Sequence, residues 1–304
     1  MLEDRFIDVN GVRTRYWDAG PTAQAGHAAP SGQAGAPVIL LHGIACSVHE
    51  WAPNIEPLAR QHRVIAVDLP GCGLSAKPGE RQYTIDEYAR FVFDLMTALR
   101  FEQAHLAGNS LGGRIALTCA MQSPAKVLSN VLVAPAGVGY DTIINFRLAS
   151  VPLLGELLTK PNRMGLRMLW RTAVYDPSLI TEQLVSDKVR DAAQPGAQSA
   201  FLKCLRSFVG FSGFERGQVD RLHAALPAMK TPTLVCWGRQ DKFLSVAHAQ
   251  ILQRLLPDVQ VQIYEQCGHM PQIEHAVRFN DAALAYWAGL TRRGTASPAR
   301  SAIA

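Results

Sequence analysis

The chain has 304 residues, 48% hydrophobic and 18% charged, with a formal net charge of +5. A chain of this length lies just past the size at which one hydrophobic core stops growing, and its composition is far from that of a disordered segment, so one large globular domain with room for an inserted smaller one is expected. Its basic residues are dispersed and no nucleic-acid motif accompanies them, which argues against a DNA- or RNA-binding role.

The first residues, Met1 to Arg5, carry acids and lead into no long apolar run, so neither a secretory signal nor a membrane span is expected and the protein reads as cytoplasmic. Residues 5–18 place β-branched and aromatic side chains on both sides of Asn10-Gly11, a dipeptide suited to a tight hairpin turn, and predict two antiparallel strands. Residues 20–36 are almost free of large apolar groups and predict a mobile loop. Short apolar runs at 38–41, 64–67, 104–108, 127–133, 233–237 and 259–264 then alternate with amphipathic segments at 85–99, 111–122, 246–256 and 277–290. Strand and helix in alternation imply parallel strands joined by crossovers, hence a mostly parallel, doubly wound α/β sheet with helices on both faces. From 139 to 226 the pattern is helical, as at 163–175 and 180–193, with no convincing strand, and an all-helical insertion accounts for it. Residues 291–304 are small and polar and predict a frayed, disordered tail. The six cysteines are spread along the chain without a C-x-x-C pair and read as reduced thiols.

Gly108-Asn109-Ser110-Leu111-Gly112-Gly113 contains G-x-S-x-G between a predicted strand and a predicted helix. A serine on so sharp a turn needs small neighbours, and the helix that begins there offers the Leu111 amide to a developing oxyanion. A serine hydroxyl is a weak nucleophile without a base, and the base needs an orienting acid. Asp241 and His269 each follow a predicted strand, in the chain order expected for this turn, at the carboxyl edge where open α/β sheets bind ligands. Asp220 and Glu274 are the weaker candidates for the acid, and His223 and His248 for the base. A second oxyanion donor is expected in the loop His42-Gly43-Ile44-Ala45, with the Ile44 amide first and Ala45 second. His42, Cys46 and His49 suggest a metal only superficially, since no further ligand cluster is near in sequence, and neither a metal nor another cofactor is expected. The segment from Asp68 to Ser75 is glycine-rich but lacks the lysine of a phosphate loop, and reads as a turn lining the site.

Taken together, His42-Gly43, the segment Asp68 to Ser75, the serine turn, Trp237-Gly238-Arg239-Gln240-Asp241 and Gly268-His269-Met270-Pro271 resemble the α/β-hydrolase superfamily over nearly the whole chain. The resemblance implies the Ser110, Asp241 and His269 triad, backbone donors at Ile44 and Leu111, and a helical cap at the insertion. Dehalogenase and epoxide-hydrolase relatives carry aspartate where this chain has Ser110. Gly108-Asn109-Ser110, the cap segment from Tyr175 to Glu182 and Cys267-Gly268-His269 further resemble the hydrolases that cleave carbon–carbon bonds in aromatic meta-cleavage products. Those enzymes place a cap arginine where this chain has Lys188 and a tryptophan where it has Met270. Arg190, two residues on, is the other candidate cation, so Lys188, Arg190 and Met270 are the substrate-binding residues that the resemblance implies.

The expected organisation is a core of residues 1–138 and 227–290 and a cap of residues 139–226, whose Leu148, Leu153, Leu157, Leu158, Met164, Met168 and Trp170 supply either an apolar lid or the cap's own core. The expected activity is hydrolysis of a carboxylic ester through an acyl-enzyme. The alternative is carbon–carbon hydrolysis of a 2-hydroxy-6-oxo-dienoate, and a non-catalytic binding module is the third reading. A small-molecule substrate is the expected partner, with no nucleic acid and no membrane, and a homodimer is the candidate assembly.

Overall fold

The computed structural model describes residues 2–20 and 35–295. Strands β1 (Arg5–Val9) and β2 (Val12–Ala19) form the expected hairpin, and Asn10 and Gly11 carry the positive φ of 50° and 83° that its two-residue turn requires. Of the expected mobile loop, residues 21–34 lie outside the described residues. The central sheet continues with β3 (Gly35–Leu41), β4 (His62–Val67), β5 (Ala104–Asn109) and β6 (Val127–Val133). It is completed, beyond the insertion, by β9 (Thr233–Gly238) and β10 (Gln260–Tyr264). Its order is β1-β2-β4-β3-β5-β6-β9-β10, antiparallel only where β2 meets β1 and β4. This is the mostly parallel, doubly wound sheet of an α/β-hydrolase fold.

Strand parity builds the core. Ile39, Leu41, Ile65, Val67, Leu106 and Leu132 face one apolar layer, and Val38, Leu40, Val64, Ala66, Val131 and Val133 face the other. The first layer is covered by α2 (Ile85–Ala98) and α3 (Leu111–Gln122). The second is covered by α1 (Ala52–Ala59) and α12 (Ala276–Thr295). Helix α1 has no counterpart among the predicted helices because Pro53 and Pro57 obscure it. Pro53 falls in the first turn, where a missing N–H is tolerated, and the buried Ile55 and Leu58 hold the helix in place. Helix α12 continues to Thr295, through the first positions of the expected frayed tail, and residues 296–304 lie outside the described residues.

Between β6 and β9 lie α4 (Ile144–Ala149), α5 (Leu154–Leu158), α6 (Arg163–Ala173), α7 (Glu182–Ala192), α8 (Ala197–Phe208) and α9 (Arg216–Ala225). Asn162 and Thr181 cap α6 and α7 through their side chains. The expectation of an all-helical insertion needs one correction: β7 (Val209–Gly210) and β8 (Gly213–Phe214) pair as a small hairpin, whose two-residue strands are too short to leave a periodic signal. Buried residues of α8 and α9, among them Leu205, Phe208, Val219 and Leu222, belong to the sheet's own apolar layer, so this part of the insertion is built onto the sheet. Helix α10 (Ala247–Leu255) and the short α11 (Pro271–Glu274) complete the chain.

Candidate active site

Ser110 stands between β5 and α3 with φ of 52° and ψ of −111°, a conformation costly for any residue with a Cβ. Its backbone is locked into it: the Ser110 amide donates to Val133, and its carbonyl accepts from Arg114 and Ala136. The neighbouring glycines are sterically required. A Cβ on Gly108 would lie 2.3 Å from the Gly112 carbonyl, and one on Gly112 would lie 2.1 Å from the carbonyl oxygen of Leu41.

Asp241 and His269 meet beyond the ends of β9 and β10. His269 Nδ1 donates to Asp241 Oδ2 at 2.8 Å, while Asp241 Oδ1 accepts from the amides of Phe243 and Leu244, so the carboxylate is fixed from both sides. The imidazole is buried, lies 5.1 Å from the Phe243 ring, and shares one cavity wall with Ser110. Its main chain is clamped too: the His269 amide donates to Ala173 of the insertion, and its carbonyl accepts from the Asn109 side chain, which ties the histidine loop to the serine turn. No hydrogen bond joins the Ser110 hydroxyl to the imidazole among the described residues, a contact that such sites commonly complete only with substrate bound. Burial pushes the His269 pKa down, but the charge and hydrogen bond of Asp241 outweigh this and hold it above its ordinary 6.5. A base must be neutral, so activity is lost as pH falls through that raised value. The acid limb of the kcat/KM profile is expected above pH 6.5, and Asp241→Asn is expected to move it lower. A wild-type limb at or below 6.5 would count against the pair.

The weaker candidates are engaged elsewhere. Glu274 accepts from the amides of Gly268, Met270 and Tyr175, Asp220 accepts from the Tyr140 hydroxyl, His248 binds Asp141, and His223 binds the Val138 carbonyl. His42, considered above for a metal, has both ring nitrogens occupied: Nδ1 donates to the Gly43 carbonyl and Nε2 accepts from the Leu69 amide. Burial lowers its pKa to about 3, which keeps it neutral.

Ile44 is on the cavity wall, while Leu111 is buried as the first residue of α3. Ala45 lines the cavity beside Ile44, so both expected donors of that loop face it. Beneath the loop is a residue that no sequence signal marks: the fully buried Glu50, which accepts from the Gly43 amide at 3.0 Å and from Gln272 at 3.0 Å and so links the oxyanion loop to the helix after His269. Gly71, Cys72 and Gly73 also line the cavity, and Asp68 holds their turn by accepting from the amides of Val48 and Leu74.

The cavity has a volume of about 530 Å³ and runs from Ser110 and His269 beneath α4 to α8, with Phe146, Phe201, Leu166 and Leu169 among its apolar lining. Met270 and Lys188 are both buried on its wall. Lys188 Nζ has no hydrogen-bond partner among the described residues and sits 4.4 Å from the centre of the Trp170 ring. Its charge acts on His42, Cys46, Glu50 and Cys72 around the oxyanion loop. Arg190 is a correction: it is not on the wall, it is about half exposed, and it pairs with Asp187 and Asp191. Two residues along a helix point to opposite sides, so α7 can turn only one of the two cations inward.

Comparison with known proteins agrees with this fold. A family model described as alpha/beta hydrolase fold matches residues 36–276. The 2-hydroxymuconate semialdehyde hydrolase of Pseudomonas sp. strain CF600 is 31% identical over 287 residues, covering 90% of either chain. The 2-hydroxy-6-oxo-6-phenylhexa-2,4-dienoate hydrolase of Burkholderia cepacia is 32% identical over 269 residues, covering 86% of this chain and 91% of that one. The solved structure of a meta-cleavage product hydrolase from Pseudomonas fluorescens IP01 superposes with a TM-score of 0.76 at 27% identity, covering 94% of this chain and 97% of that one.

Proposed function

Because the chain belongs to the alpha/beta hydrolase fold family, we propose that it is a serine hydrolase cleaving a carbon–carbon bond in a substrate of the 2-hydroxy-6-oxo-dienoate class, with residues 139–226 as the cap over its site. The observation that carries this is Lys188, a buried ammonium without a hydrogen-bond partner on the wall of the cavity that holds Ser110 and His269. Burying an unpaired cation is costly, and an anionic substrate offsets the cost. The four-carbon stem lets the ammonium leave the Trp170 face and meet a carboxylate or dienolate. The names of the relatives favour the same chemistry over ester hydrolysis, the activity first expected from the motifs.

His269 takes the Ser110 proton as the hydroxyl oxygen attacks the ketone carbon remote from the carboxylate, and the oxyanion rests on the amides of Ile44 and Leu111. Once the dienol has tautomerised to its diketo form, its hydroxyl proton lost and a proton gained at the carbon beside the attacked ketone, the carbon–carbon bond breaks and its electron pair passes into the enone, where the negative charge faces Lys188. The protonated His269 returns its proton to the leaving carbon, and water activated by the same imidazole frees the acid from Ser110. Met270 packs against Trp170 and Cys46 along the acyl side of the cavity. Six free cysteines suit a reducing cytoplasm.

Carboxylic-ester hydrolysis is the second reading, supported by a triad and oxyanion donors that need no cation. The two separate on purified protein assayed with a 6-phenyl ring-fission dienoate and with p-nitrophenyl butyrate. A higher kcat/KM on the dienoate is expected, and faster ester turnover with an inert dienoate would overturn the carbon–carbon reading.

A further inference from the structure

The cap residues with an apolar character in the sequence do not share one fate. Trp170 is buried, whereas Leu153, Leu157, Leu158, Met164 and Met168 are 51 to 85% exposed. They occupy α5, its first flanking residue and α6, joined by a link of four residues. Met164 and Met168 are four apart and form one row on α6, and Leu153 and Leu157 are spaced likewise along α5. Single exposed apolar residues are ordinary, but here five lie within sixteen positions, and two of them, Leu158 on α5 and Met168 on α6, border one cavity, so both helices contribute to the exposed apolar surface around it; such surfaces mark interaction sites.

Three further observations say what covers it. The patch is continuous with the cavity: Leu158 and Met168 line the cavity as well as facing outward, as do the exposed Lys160, Pro161 and Asn162 between them. The patch is also edged with cations. Glu182 answers both Arg163 and Arg167, and Glu156 answers Arg206, which leaves Lys160 and Arg171 exposed and without an ion pair among the described residues. Finally, Leu153, the most exposed of the five, holds a φ of 67°, a conformation that costs a bulky residue about 1 kcal/mol or more. The Leu153 carbonyl accepts from the Leu157 amide at the start of α5, but its exposed side chain adds no burial to the fold.

We propose that the α5–α6 face of the cap docks on an anionic lipid surface, with Leu153, Leu157 and Met164 entering its apolar boundary and Lys160 and Arg171 at the headgroups, so that the cavity mouth opens towards the lipid phase. A second copy of the chain fits less well, because two such faces would set cation against cation. No helix among the described residues is long and apolar enough to cross a membrane, and none is needed, since a helix rich in arginine and large apolar residues lies on a bilayer without spanning it. The absence of a membrane partner expected from the sequence rested on the lack of a spanning run. This proposal is independent of which bond the enzyme cleaves.

The test is co-sedimentation of the full chain with vesicles of phosphatidylcholine alone and with about a third phosphatidylglycerol, at low and high salt. Binding to the anionic vesicles that weakens with salt is expected. The pair Leu157→Glu and Met164→Glu should reduce it roughly tenfold or more. Neither residue lines the cavity, so kcat/KM on dissolved p-nitrophenyl butyrate should not change. Arg171→Glu, a single exposed change, should weaken binding in the same direction. Failure to bind either vesicle, binding that both variants leave intact, or a dimer in sedimentation equilibrium that the Leu157→Glu, Met164→Glu pair splits would overturn it.

Discussion

Ser110→Ala is expected to lower kcat about ten-thousandfold or more on dienoate and ester alike, leaving only what the oxyanion donors and substrate binding contribute. The prediction is strong because the two thiols on the cavity wall cannot replace the hydroxyl. Cys46 and Cys72 share the cavity wall, but burial pushes the Cys72 thiol up to about 12 and the Cys46 thiol well above its ordinary value, so neither supplies a thiolate near neutral pH. Alanine also keeps a Cβ at φ of 52°, so the strain of the turn and its bonds to Val133, Arg114 and Ala136 are retained and the fold should lose less than about 1 kcal/mol. Activity and the thermal midpoint should therefore part company: the first collapses, the second stays. Labelling by a serine-directed phosphonate should vanish in the same variant. An alanine protein that still turns over either substrate at a rate near wild type would remove Ser110 from the mechanism, and the triad with it.

What the sequence discloses about this molecule follows a physical divide. The sheet was readable because β3, β4, β5, β6 and β9 are each a short apolar run, and their boundaries agree with the structure to within a few residues. Ser110, Asp241 and His269 stood out as candidates because each sits in a local setting that marks its neighbours, a serine between glycines and two residues placed just after strands, and Asp241 and His269 are hydrogen-bonded beside the cavity that Ser110 lines. Glu50 leaves none. Its role depends on Gly43, seven residues before it, and Gln272, more than two hundred after it, and no pattern in the segment from His49 to Trp51 predicts either contact. Helix α1 was hidden by prolines whose cost is met by tertiary burial of Ile55 and Leu58. The insertion was readable as helical but not in its facing. Hydrophobicity alone favours burial for Leu153 and Trp170 alike, and the structure gives them opposite environments because exposure is decided by what lies across from a residue.

Lys188→Met should separate the two chemistries most sharply. A charged partner lost from a buried anion contact costs roughly 2–5 kcal/mol, so kcat/KM on the dienoate should fall about a hundredfold. A neutral ester makes no use of the cation and should lose little. The fold should be nearly indifferent. Removing an ammonium with no hydrogen-bond partner relieves a desolvation cost, while losing its contact with Trp170 and its attraction for Glu50 works the other way, so the net change in stability should stay within about 1 kcal/mol. Lys188→Arg should recover more dienoate turnover than methionine does, since a guanidinium on the same stem still meets a planar anion. Arg190→Met is the internal control: its side chain is off the cavity wall and pairs with Asp187 and with Asp191, and both substrates should be cleaved at close to the wild-type rate. If Lys188→Met instead lowered ester and dienoate turnover by the same factor, the lysine would be acting on the shape of the site, and the case for an anionic substrate would fall while the serine chemistry stood.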